Sequence, residues 1–130
     1  MPSIAARSLL ISAGAVLGAN TRYWVGVLFA RVDVTGIPWW TLLINVSGSL
    51  VLGVFLGFAA RRVPDPGWTF VVAVGFCGAY TTFSTFSYEV FTMLQAHAVG
   101  QAVGYVAASV GLSLGAVALG WVGGQAVAGG

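Results

Sequence analysis

Hydroxyl, glycine and phenylalanine residues crowd into one short stretch of an otherwise apolar chain. Residues 75–86 read GFCGAYTTFSTF. Hydroxyl groups donate and accept hydrogen bonds, and the edge of a phenyl ring is partly positive, so this stretch offers several weak ligands to a small anion. Its hydroxyl side chains are Tyr80, Thr81, Thr82, Ser84 and Thr85.

The same stretch is a poor helix, although it lies in an apolar segment long enough to cross a membrane. Gly75 and Gly78 cost backbone entropy, and the β-branched threonines compete for local backbone groups. A helix break at membrane depth leaves backbone groups that only protein, water or a bound ion can satisfy. The stretch therefore predicts a break that marks a site, after which a threonine or serine hydroxyl caps the next helix.

Two polar side chains in the earlier apolar segments leave alternatives open. Asn45, in LLINVSGSLVLG, either joins helices or offers its amide donors to a passing solute. Arg22, in GANTR, either snorkels to the membrane surface or forms a cationic vestibule that concentrates an anion.

The last apolar segment carries hydroxyls at every fourth residue. Tyr105, Ser109 and Ser113 therefore share one helical face, which favours a pore lining over hydrogen bonds back to the preceding turn. The glycines of this segment fall on another face, which suits close contact with a neighbour: Gly104, Gly111 and Gly115.

Other candidate residues have less specific roles. Phe83 and Phe86 lie on one side of a helix and serve either as lipid or core contacts or as ring-edge ligands for an anion. Glu89 could pair with Arg22, be capped at the interface or carry protons. Cys77 is the single cysteine, which excludes an intrachain disulfide and a cysteine metal cluster.

Composition sets the class of protein. Of 130 residues, 58% are hydrophobic and 6% are charged, and the mean hydropathy is +0.95. Such a chain cannot cover a soluble globule with polar surface, and its few arginines do not form a nucleic-acid patch. We predict an all-α, multi-pass protein of the cell membrane, in contact with lipid. Its single domain, 1–130, has four helices at about 8–29, 38–60, 68–95 and 99–122.

The charges give this bundle little preference for one orientation. Four spans place Arg7, Arg61 and Arg62 on one side, against Arg31 and, nearer that end, Arg22. Such a chain could insert both ways and form an antiparallel homodimer. Pairs of glycines four residues apart predict close helix packing: Gly14 with Gly18, Gly53 with Gly57, Gly100 with Gly104, Gly111 with Gly115, and Gly120 with Gly124.

These motifs together resemble a known family. GFCGAYTTFSTF is similar to the third-helix signature of the small fluoride channels called Fluc or CrcB, with Ala79 in place of a usual glycine. GANTR and the NxxG of residues 45–48 resemble its first- and second-helix motifs. The resemblance implies a dual-topology antiparallel homodimer with a broken third helix, which conducts fluoride passively out of the cell through two pores.

The resemblance also implies roles for residues. A structural sodium ion at the dimer axis would be held by the backbone carbonyls of Gly78 and Thr81, and Arg22 would sit at the vestibule. The pore would be lined by Asn45, Thr82, Phe83, Ser84, Phe86, Tyr105, Ser109 and Ser113.

Three rival functions fit the residues less well. A small four-helix multidrug or cation antiporter needs a carboxylate in its first span, where this chain has Arg22 and no Asp or Glu. A scaffold subunit would explain the glycine pairs but not the hydroxyl run. An enzyme is disfavoured because His97, Cys77 and Glu89 lie on separate elements with no long loop to assemble them.

Overall fold

The computed structural model describes residues 2–29 and 36–130, and every regular element among them is helical. Four helices are long and apolar enough to cross a membrane: Ile4–Phe29 (α1), Trp39–Ala59 (α2), Pro66–Gln95 and Val99–Gly129 (α6). The chain is thus a multi-pass membrane protein. Most of the predicted first loop, residues 30–35, lies outside the described residues, and Arg31 is one of them.

The third span consists of several consecutive segments. They are α3 (Pro66–Trp68), a π-helical segment (Thr69–Cys77), α4 (Gly78–Tyr80) and α5 (Phe83–Gln95). Asp65 opens the span by accepting the N–H of Gly67 at 2.7 Å. The backbone stays in the helical region through Thr69 and Gly78, where these segments meet, and leaves it only at Thr81.

Between α4 and α5 the chain is extended. Thr81 has φ −75° and ψ 157°, and Thr82 has φ −147° and ψ 113°. We call these two residues the 81–82 link. Thr82 is the N-cap of α5, and its Oγ1 accepts the N–H of Thr85 at 3.3 Å, as the sequence predicts for a hydroxyl at a helix start.

Glycines bring the spans into close contact at two places. Gly14 and Gly18 of α1 face the backbone of the π-helical segment at Val71 and Phe76. The α2 and α6 helices meet through two predicted glycine pairs, which leave no room for a Cβ: Gly53 with Gly57, and Gly120 with Gly124. Close helix packing is therefore confirmed for these three pairs.

The other two glycine pairs have no neighbour within the described chain. A Cβ built at Gly100, Gly104, Gly111 or Gly115 would meet nothing within 4 Å. Within the described part of a single chain this face of α6 therefore has no packing partner, and the prediction that it contacts a neighbour stays a prediction. Instead, α6 turns Tyr105 and Ser109, together with Gly120 and Gly124, toward the rest of the bundle.

The fourth span also ends later than predicted. It continues past Val122 to Gly129. Arg62 stabilises this end, since its Nε donates to the carbonyl of Ala128 at 2.9 Å. A cationic side chain at the C-terminal end of a helix also interacts favourably with the helix dipole.

The apolar core that supports the site lies between α2, α5 and α6. Its members are Leu42, Phe86, Met93, Ala102 and Tyr105. Because Phe86 belongs both to this core and to α5, packing of the bundle fixes where the first turn of α5 lies.

Candidate functional site

A cavity of about 370 Å³ lies beside the 81–82 link, between α2, the π-helical segment, α5 and α6. Its lining includes most of the residues that the sequence predicts for the site, and no charged side chain: Asn45, Gly78, Thr81, Thr82, Phe83, Phe86, Ser109 and Ser113, together with Ser49 and Cys77. Side chains that are far apart in the sequence thus meet at one place.

Asn45 makes two hydrogen bonds to the backbone of one residue. The N–H of Thr82 donates to Asn45 Oδ1 at 2.8 Å, and Asn45 Nδ2 donates to the Thr82 carbonyl at 3.2 Å. Of the two roles left open for Asn45, the structure shows the joining of helices, and one N–H of Nδ2 has no bond in these two contacts.

The carbonyls of Gly78 and Thr81 have lost their usual helical donors. In a continuous helix the N–H of Thr82 would return to Gly78, and the N–H of Thr85 would return to Thr81. The first is held by Asn45 and the second by Thr82 Oγ1. Arg22 Nη1 donates to the Thr81 carbonyl at a long 3.4 Å.

The two phenyl rings lie next to each other but are buried to different extents. Their centroids are 5.8 Å apart and their planes are inclined at 47°. Phe86 is 9% exposed and contacts the ring of Tyr105, whereas Phe83 is 79% exposed. Within one chain, therefore, Phe83 has an open side that faces away from the core.

Ser109 carries a buried hydroxyl with no partner. The residue is 5% exposed, and its Oγ makes no hydrogen bond to the described residues. A buried hydroxyl without a partner costs free energy, so such a group calls for a ligand or water. Ser109 also belongs to the lining of the cavity.

Three predicted site residues lie outside the lining of this cavity. Tyr105 reaches it only through its contact with Phe86, and Ser84 contacts Thr82 through their hydroxyls at 3.4 Å. Arg22 lines a second cavity of about 570 Å³, together with Tyr23, Trp40 and Thr85.

A hydrogen-bonded carboxylate lies behind the phenyl rings, and sequence reasoning only partly found it. Thr41 donates to Glu89 Oε1, and Tyr105 donates to Glu89 Oε2, both at 2.7 Å. Pairing with Arg22, one of the interpretations left open for Glu89, is not seen among the described residues, where both carboxylate oxygens accept from hydroxyls instead. Thr41 was not singled out, although it lies one turn before Asn45 and so shares its helical face.

The fold and the site together define a class: a multi-pass helical membrane protein with a small uncharged cavity beside the extended 81–82 link of its third span. A sequence model described as CrcB-like protein, Camphor Resistance (CrcB), matches residues 9–121. The chain belongs to the CrcB family.

Individual relatives agree with this assignment. A protein of Koribacter versatilis is 46% identical over 110 residues, which cover 84% of this chain and 87% of the relative. A protein of Nitrobacter winogradskyi is 44% identical over 114 residues, covering 86% and 90%. One from Leptospira interrogans is 43% identical over 103 residues, covering 78% and 81%. Each of these relatives is named fluoride-specific ion channel FluC.

Proposed function

We propose that this chain forms a passive, fluoride-selective channel that lets fluoride leave the cytoplasm. The observation that carries the proposal is the convergence of the Asn45 amide, the Ser109 and Ser113 hydroxyls and the rings of Phe83 and Phe86 on one uncharged cavity. The relatives are named as ion channels and not as enzymes, and their names supply the identity of the ion.

The chemistry of the cavity suits a small, strongly hydrated anion. Fluoride loses its water only where closely placed donors replace it, and it leaves again only if no single site binds it tightly. Hydroxyls of Ser109, Ser113 and Thr82, the free N–H of Asn45 and the ring edges of Phe83 and Phe86 would supply several weak sites. This set contains no cation that would trap the ion.

Tyr105, Ser84 and Arg22 would extend the path beyond the cavity. The Tyr105 hydroxyl lies behind Phe86 and would continue the polar face of α6. Arg22 would attract anions at the vestibule, since it lines a separate cavity next to the 81–82 link.

A second, antiparallel copy of the chain would complete the pore. The open glycine face of α6, at Gly104, Gly111 and Gly115, allows another helix to approach closely. Phe83 is exposed on an uncharged wall that a second copy would cover. Insertion in both orientations would make such a dimer without a second gene product, as inverted repeats do within one chain.

The residues at the 81–82 link fit the sodium ion that the resemblance implies. Hard cations prefer oxygen ligands, and the Gly78 and Thr81 carbonyls are two of those whose usual helical donors are bonded elsewhere. A Cβ built at Gly78 would meet nothing within 4 Å, so a partner chain has room to bring its own Gly78 and Thr81 carbonyls close. A sodium ion there would supply positive charge that satisfies four carbonyl oxygens at the dimer axis.

The test is anion efflux from liposomes that contain the purified protein, loaded with fluoride or chloride, with a potassium ionophore to set the voltage. The proposal expects rapid release of fluoride and retention of chloride. Release of neither anion by a folded dimer would reject it. Proton-coupled uptake of an organic cation would instead support the antiporter alternative.

A further inference from the structure

The backbone of Thr82 lies outside both neighbouring helices, yet both of its polar groups have a partner in α2. Its N–H and its C=O are held by the single side chain of Asn45, at 2.8 Å and 3.2 Å. Only this orientation of the amide fits, because the reverse would set donor against donor and acceptor against acceptor. Asn45 thus replaces the pairing that a continuous helix would provide.

We infer that Asn45 is a positioning residue: it fixes the 81–82 link and thereby directs Phe83 and Phe86 at the cavity. The N–H that Asn45 holds is the one that would otherwise return to Gly78 and continue α4. With this group held by α2, α5 begins at Phe83, and Thr82 is free to cap it. The positions of both rings follow from that starting point.

This role differs from that of an ion ligand. A ligand would use the donors of the amide on fluoride, whereas the contact with Thr82 uses the acceptor and one donor on the protein itself. The contact exists without any ion. Its consequence for transport rests on the proposed fluoride channel, but the contact can be tested without fluoride.

The experiment measures hydrogen exchange of the Thr82 amide in fluoride-free buffer for the purified wild type and two variants. We expect slow exchange in the wild type, where Asn45 Oδ1 accepts this N–H. We expect exchange about tenfold faster or more in Asn45→Ala, since the amide then lacks its partner. The matched control is Asn20→Ala. Asn20 is an exposed amide that bonds back to the Val16 carbonyl, so exchange at Thr82 should stay slow.

Two results would overturn the inference: fast exchange at Thr82 in the wild type, or exchange in Asn45→Ala as slow as in the wild type. The wild-type rate decides the question even if Asn45→Ala does not fold. Efflux from liposomes is then measured separately, and Asn45→Ala should release fluoride at least about tenfold more slowly than Asn20→Ala. A wild-type protein that does not release fluoride would count against the proposed function and leave the exchange result standing.

Discussion

Tyr105 of α6 donates its hydroxyl hydrogen to Glu89 Oε2 of α5 at 2.7 Å. Thr41 of α2 donates to the other carboxylate oxygen at the same distance, so one carboxylate joins three helices. Thr41 is fully buried and Tyr105 is 4% exposed. This cluster lies behind Phe86, whose ring centroid is 5.3 Å from that of Tyr105. A substitution that disturbs this cluster should therefore move Phe86 and so change the shape of the cavity.

Removal of the Tyr105 hydroxyl tests this relationship. Tyr105→Phe keeps the ring on Phe86 but leaves Glu89 Oε2 without its donor, which should cost about 1–3 kcal/mol of stability. The loss of stability is measured by unfolding both proteins in detergent with heat or denaturant. Tyr88→Phe is the matched control, because Tyr88 is 68% exposed. Equal stability of the two variants would show that the bond to Glu89 contributes nothing.

Phe83→Ile and Phe86→Ile test the ring-edge ligands. Isoleucine keeps an apolar side chain but has no positive ring edge, so each variant should lose most fluoride efflux while the protein still purifies as a dimer. The matched control is Phe91→Ile on α5, since Phe91 is 54% exposed and does not line the cavity. Full efflux in both pore variants would remove the rings from the proposed path.

Ser109→Ala separates an ion ligand from a structural hydroxyl. Because the Oγ has no protein partner, its removal should leave the stability of the fluoride-free protein unchanged or raise it by about 1 kcal/mol. Fluoride efflux should nevertheless fall. Ser8→Ala, where an exposed hydroxyl bonds back to the Ile4 carbonyl, should change neither quantity. A clear loss of stability in Ser109→Ala would mean that the hydroxyl serves the fold.

Packing of α2 on α6 predicts opposite effects at two glycines. In Gly120→Ala the new Cβ would press on the backbone of Leu50 and Val54, which should cost about 1–3 kcal/mol. Gly123→Ala meets nothing within 4 Å and lies off the open glycine face, so it should leave the unfolding midpoint unchanged or slightly higher, since alanine favours a helix. Unfolding of both variants in detergent compares them. Similar losses at the two positions would contradict the packing described here.

A single added charge should bias the orientation of the chain. Val63 is 96% exposed in the connection between α2 and α3. Val63→Arg should hold that side in the cytoplasm by the positive-inside rule, whereas Val63→Gln should not. Reporter fusions at the C-terminus measure orientation, and efflux should fall with the loss of antiparallel pairs. Co-expression with His97→Arg, which adds charge at the opposite end, should restore it. Undiminished efflux from a chain of one orientation would reject the antiparallel dimer.

Much of the architecture follows from composition alone. Runs of about twenty apolar residues must be helical in a bilayer, since no other local structure pairs its backbone groups, and α1 and α2 begin or end close to the predicted bounds. The hydroxyl cap at Thr82 was also predictable, because capping depends on residues three positions apart. Local chemistry of this kind needs no knowledge of the fold.

Contacts between distant residues were not predictable in the same way. The residue pattern of α6 gave two faces but not which one is buried, because that choice depends on how Gly120 and Gly124 fit α2. Glu89 had three interpretations in the sequence, and only its distances to Thr41 and Tyr105 show its partners. Helical periodicity places residues around an axis but does not select the neighbour.

Residue types alone indicate a four-span membrane protein in which residues 75–86 disfavour one continuous helix. Those properties depend on residue type and local backbone energetics. Packing of the helices, in contrast, brings Asn45 to the backbone of Thr82 and buries Ser109. Hydrogen bonds between separate helices depend on side-chain distance after packing, and the linear order of residues does not specify that distance.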